Sequence, residues 1–217
     1  MQEIWNIISL GGPTALPLLI ASIFSLAVII EKSIFFARRK QNNKNLIRKI
    51  EMFLDEGDTM SAYNQLKGEN GPHVRLLSTA LSNMEEEPER IREALQVTGK
   101  KEIRRMEKHL PILDVIAMIA PLLGLLGTVI GIISSFNILG TAAGMGDPAQ
   151  ISAGIAAALI STAIGLIIAI PTAIFYSYFS NIVERRAHEL NESIVEIMDM
   201  MNNRGEEEYE ENVRNIS

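Results

Sequence analysis

Residues 115–140 read VIAMIAPLLGLLGTVIGIISSFNILG and residues 151–181 read ISAGIAAALISTAIGLIIAIPTAIFYSYFSN, and neither stretch holds Asp, Glu, Lys, Arg or His. An α-helix rises about 1.5 Å per residue, so about 20 apolar residues cross the roughly 30 Å hydrocarbon core of a bilayer. Both stretches are long enough to span a membrane, and so is a third apolar block at residues 13–37. The 217-residue chain is therefore predicted to be an all-α polytopic membrane protein, with three transmembrane helices and long cytoplasmic helical extensions.

Charge sets the expected orientation. Of the 20 Lys and Arg, 15 lie in residues 38–109, four in residues 185–214 and one is Lys32; residues 1–31 and 140–150 hold none. Basic residues favour the cytoplasmic side. The middle region and the C-terminus are thus predicted to be cytoplasmic, with the N-terminus and the loop at 140–149 on the other side. No base precedes the first apolar block, so that block is expected to be retained as a span rather than removed as a signal peptide. There is no cysteine, which excludes disulfides, thiol catalysis and Cys-ligated metals.

The expected organisation follows from these marks. Residues 1–12 form an interfacial segment with Trp5 at headgroup depth, 13–37 the first span and 38–109 a cytoplasmic helical domain. The second span is 110–139, the outer loop 140–149 and the third span 150–181. Within 38–109, helical periodicity is interrupted at Gly57-Asp58, at Gly68 to Pro72 and at Pro88, and a charged helix over 89–109 leads into the membrane through Pro111. Leu190, Ile194, Ile197, Met198 and Met201 recur at three- and four-residue steps, so the third span continues as an amphipathic cytoplasmic helix over 182–204. The acidic tail at 205–217 lacks apolar content and is expected to be disordered.

No Gly-rich phosphate loop, zinc-ligand cluster or nucleophile motif is present. No enzymatic activity, cofactor, metal or nucleic-acid binding is expected, and His73, His109 and His188 read as surface or interface residues.

The chemistry lies in the spans. Steps of three and four along the second span collect Asp114, Ala117, Pro121, Gly124, Thr128, Gly131 and Ser135, while the bulky Leu122, Leu123, Leu126, Val129, Ile130 and Ile133 fall between them. The third span repeats the pattern with Gly154, Ala158, Thr162, Gly165, Ala169, Thr172 and Tyr176. Small residues at such spacing let membrane helices approach closely, and Gly127 with Gly131 has the common four-residue step. Thr128 and Thr162, at comparable depth, either bond back to their own helices or line an interior path.

The run Ala120-Pro121-Leu122-Leu123-Gly124-Leu125-Leu126-Gly127-Thr128-Val129-Ile130-Gly131-Ile132-Ile133 with Phe136 carries a resemblance. So do Gly154-Ile155, Ala158-Leu159-Ile160-Ser161-Thr162-Ala163, Gly165-Leu166 and Ala169-Ile170-Pro171. The chain resembles the ExbB/TolQ/MotA proton-channel family, and the ExbB and TolQ branch most. The resemblance implies a pentameric bundle in the bacterial inner membrane. Its central pore would be lined by Thr128, Thr162, Gly124, Gly131, Ser135, Ala158 and Gly165, with Pro121, Gly127 and Pro171 serving packing or kinks. It further implies an ExbD- or TolR-like single-span partner whose intramembrane aspartate carries protons, and a TonB- or TolA-like protein beyond it. The family pattern Gly-Ile-x-Glu-Ala-Leu has Ala157 here in place of the glutamate. Asp114 and Glu31, near the inner interface, are then the acids left for a proton exit.

The function expected is a subunit that turns the proton-motive force into work on an envelope-spanning protein, for example in TonB-dependent transport. The alternatives are a TolQ-like envelope-maintenance or motility motor, or a non-conducting helical scaffold.

Overall fold

The computed structural model describes residues 14–38, 44–141 and 148–216, with the side chains of 38, 44–45, 138–141 and 203–216 excepted. The expected interfacial segment with Trp5 and most of the outer loop lie outside the described residues. Among the described residues seven α-helices follow one another: α1 (Ala15–Arg38), α2 (Lys44–Asp55), α3 (Thr59–Leu66), α4 (Pro72–Ser82), α5 (Pro88–Glu107), α6 (Leu110–Thr141) and α7 (Pro148–Ile216). No strand occurs among the described residues. Pro72, Pro88 and Pro148 each open a helix and Pro111 is second in α6, positions where the missing N–H costs nothing. Gly57 and Gly68 adopt φ +74° and +97° just beyond α2 and α3, the left-handed turn that glycine makes without steric cost.

The chain divides into two compact units, residues 1–35 with 109–180 and residues 36–108 with 181–217. The first unit holds the apolar stretches of the three helices that, among the described residues, are long and apolar enough to cross a membrane. Its helix directions can be read from its contacts. Thr14 bonds Ser161 at 2.8 Å and Ser25 bonds Thr172 at 2.6 Å, both pairs 147 residues apart. A constant offset means that α1 and α7 run parallel. Between α6 and α7 the numbers run oppositely, Gly131 meeting Ala158, Gly124 meeting Thr162, and Ala120 meeting Gly165, so these two are antiparallel. Leu18, Ile116, Ala120 and Ala169 form the buried apolar core where the three helices converge.

In the second unit, α2 to α5 pack sequentially around Leu46, Ile47, Ile50, Leu54, Leu76, Leu77 and Leu95. Glu102 is 1% exposed and takes Arg75 at 2.5 Å and Arg105 at 2.9 Å, so the buried carboxylate is matched by two guanidiniums rather than left uncompensated. The C-terminal part of α7 joins this unit through Ser193, 3.1 Å from His73 Nδ1, and through Leu190, Ile194, Ile197 and Met198, all buried. Asp58 caps α3, accepting the Ser61 hydroxyl at 2.6 Å and the Ser61 amide at 2.9 Å. The hydroxyl bond and the amide bond hold its carboxyl below the ordinary value of 3.8. A lowered carboxylate pKa stabilises the fold above the unfolded value, and this contribution disappears as pH falls through the folded one.

Two expectations are corrected. The charged helix does not run on into the membrane: α5 ends at Glu107, α6 begins at Leu110, and His109 between them has φ 68°. An unbroken helix would press the Pro111 ring against the carbonyl of residue 107. The tail expected to be disordered continues α7 through Ile216. Glutamate is a good helix former, and extending an existing helix avoids the cost of nucleation.

A side chain added at Gly165 would place its Cβ 2.6 Å from the Ala120 carbonyl oxygen, whereas at Gly99 it would meet only the movable Ile194 Cδ1 at 3.1 Å. Gly165→Ala is therefore expected to destabilise the protein by about 1–3 kcal/mol, although alanine favours a helix by about 1 kcal/mol. Gly99→Ala should be neutral or stabilising. Thermal unfolding of both variants in mild detergent checks the contrast.

Candidate functional site

The small and polar stripes predicted on the second and third spans face each other. A Cβ on Gly124 would meet the Ser161 carbonyl oxygen and Thr162 Cα, both at 3.0 Å, and one on Gly131 would meet Ala158 Cβ at 2.7 Å. Gly154 leaves room for the Ser135 hydroxyl, and Gly127 for those of Ser161 and Thr14. Of the bulky interleaved residues, Leu122, Leu126, Val129 and Ile133 are about half exposed, whereas Ile130 is half-buried and Leu123 packs against the core. Close backbone approach between α6 and α7 thus accounts for the glycines.

At the middle of this seam the hydroxyls of Thr128 and Thr162 are hydrogen-bonded to each other. Each also reaches the Gly124 carbonyl, Thr162 at 3.1 Å and Thr128 at 3.2 Å, and Thr128 lies 3.4 Å from the Ala158 carbonyl. A hydroxyl has one proton to donate. Two donors facing this set of acceptors can exchange partners, so the pair is satisfied in more than one arrangement. Both residues are half-buried.

The remaining predicted residues separate into groups. Ser135 is buried and donates to the Gly131 carbonyl at 3.0 Å, while Ala158 is buried against Gly131. α6 continues through the half-buried Pro121 and α7 through the exposed Pro171. Ala157 is half-buried. Asp114 is half-buried on α6. Glu31, at the inner end of α1, is exposed and bonds His109 Nδ1 at 2.8 Å.

Sequence reasoning missed Thr14, Ser25 and Ser161 as ties between α1 and α7, and it missed the His109–Glu31 contact. Hydroxyls inside an apolar span were the only available signal for the first three. A histidine 78 residues from its partner gave none.

Three apolar helices joined by hydroxyls and small residues define an integral membrane protein with a polar seam inside its span region. Residues 68–192 match the family model described as the MotA/TolQ/ExbB proton channel family, and the chain belongs to that family. It is similar to a Synechocystis protein named as ExbB-like biopolymer transport protein 1, with 34% identity over 74% of this chain and 64% of the relative. It is also similar to the ExbB-like protein 3 of Synechocystis, with 30% identity over 81% of this chain and 84% of the relative. The Tol-Pal system protein TolQ of Pseudomonas aeruginosa is 42% identical over 42% of this chain and 39% of its own length. The chain thus spans less than two thirds of the first relative.

The buried Ser25–Thr172 bond should be measurable by a double-mutant cycle. Ser25→Ala and Thr172→Val are expected to show a coupling of about 0.6 kcal/mol, with an upper bound near 1.7 kcal/mol, as for side-chain hydrogen bonds between membrane helices in general. Reversible unfolding in mixed micelles gives this value directly.

Proposed function

We propose that this chain is the channel subunit of a proton-driven machine in the bacterial inner membrane. With an ExbD- or TolR-like single-span partner, it converts the proton-motive force into mechanical work on an envelope-spanning protein. The observation that carries this reading is the Thr128–Thr162 pair, set mid-span in helices that hold no charged residue from Val115 to Gly140 or from Ile151 to Val183. Hydroxyls can orient water or a carboxyl but cannot themselves hold a proton at neutral pH. A titratable carrier inside the membrane must then be supplied by another polypeptide, and an aspartate on a partner helix is the carrier that fits.

In this reading several copies, five by resemblance to the family, surround the partner and present the seam's hydroxyls to it. Exchangeable hydrogen bonds at Thr128 and Thr162 let those hydroxyls turn from their own carbonyls to the incoming carboxyl without leaving a polar group unsatisfied in hydrocarbon. A proton rather than sodium is the cation these residues suit, because sodium needs several oxygen ligands together whereas two hydroxyls supply few. Ala157 in place of the family glutamate makes the subunit more dependent on its partner for the titrating group.

Thr162→Val is nearly isosteric and removes the hydroxyl. It is expected to lower energised function at least about tenfold, equivalent to about 1.4 kcal/mol on the rate-limiting barrier, while assembly with the partner is retained on native gels. Unchanged activity would instead favour the scaffold.

A further inference from the structure

We propose that His109 and Glu31 form the proton-release station at the inner end of the span unit, a deeper reading that rests on the channel function above. Six residues beyond the Ala120–Gly165 contact on each helix lie Asp114 and Pro171. This sets Asp114 level with the Ser25–Thr172 bond. Five residues before Asp114 in the chain, in the turn just ahead of α6, stands His109. Its Nδ1 is held by both oxygens of Glu31, at 3.0 and 2.8 Å. The polar groups of the unit therefore fall in successive layers: the Thr128–Thr162 pair, then Ser25, Thr172 and Asp114, then His109 with Glu31.

The chemistry of the last layer suits release. A histidine ring can take up and give back a proton at its second nitrogen with no other covalent change. With Nδ1 on Glu31, Nε2 is the position for uptake: a proton added there gives an imidazolium facing the Glu31 carboxylate, and its loss to water restores the neutral pair. One proton enters and one leaves, and no other bond changes. At this end of the unit the ionisable groups come from each of its helices. From α1 come Glu31 and Lys32, whose Nζ lies 5.0 Å from the centre of the Phe35 ring. From α6 comes Asp114, from α7 the phenols of Tyr176 and Tyr178, and Lys108 precedes His109 in the chain. Both members of the pair are partly exposed, Glu31 at 49% and His109 at 36%, so they can exchange with water.

The backbone also bears on the choice of variant. His109 has φ 68°, a conformation that Asn tolerates better than most residues, and the Asn side-chain amide can place a nitrogen where Nδ1 lies. His109→Asn thus keeps both the turn and a bond to Glu31 and removes only the titration.

The test is proton flux into liposomes holding the complex purified with its native partner, read by an entrapped pH dye while the pH on the cytoplasmic side is varied from 5.5 to 8. His109→Asn should change the pH profile of the flux and lower it about tenfold. Glu31→Gln removes the carboxylate that holds Nδ1 and should lower the flux in the same direction. An unchanged flux and pH profile in both variants would overturn the inference and leave the pair as a clasp between α1 and the turn ahead of α6. Absence of flux from the wild-type complex would instead remove the channel reading itself, and this one with it.

Discussion

The close contact of α6 with α7 is the constraint on which the span unit depends. In hydrocarbon no water is available to satisfy a polar group, and apolar burial gives helices little reason to associate. Packing and internal hydrogen bonds must do both jobs. Glycines at 124, 131, 154 and 165 bring the two backbones together. Only at that separation can the Thr128 and Thr162 hydroxyls share the Gly124 carbonyl. The third helix is then tied on by Thr14 to Ser161 and Ser25 to Thr172.

This arrangement joins two readings of the small-residue stripe that compete in the sequence. A stripe that packs helices and a stripe that presents hydroxyls are usually alternatives, yet here the packing glycines fix the position of the hydroxyls. The threonine pair has its partners within one chain and still has more acceptors than protons. Such a site costs nothing to leave satisfied at rest and little to rearrange when another polar group arrives. A subunit with this property and no mid-span charge is suited to lining a path for a proton that someone else carries.

Much of this was legible in the sequence, and for a definite reason. Uncharged runs of span length identify membrane helices because composition alone excludes charge from hydrocarbon. The stripe Gly124, Thr128, Gly131 and Ser135 is visible because helical periodicity puts it on one face. What stayed hidden depends on register between separate helices: Ser25 and Thr172 are each ordinary hydroxyls until the 147-residue offset sets them together. His109 with Glu31 is hidden likewise. The break at His109 was obscured by the apparent continuity of the charged helix with the span, although Pro111 carried the signal. The α-helical tail shows composition overruled by an adjoining helix.

The central claim is that the proton carrier belongs to another polypeptide. Purification of the tagged chain from its native membrane in mild detergent, followed by mass spectrometry of what accompanies it, tests this most directly. A stoichiometric single-span protein with one aspartate within its span is the result predicted, and its outer domain would identify the process energised. Repeated mild preparations containing this chain alone would contradict it.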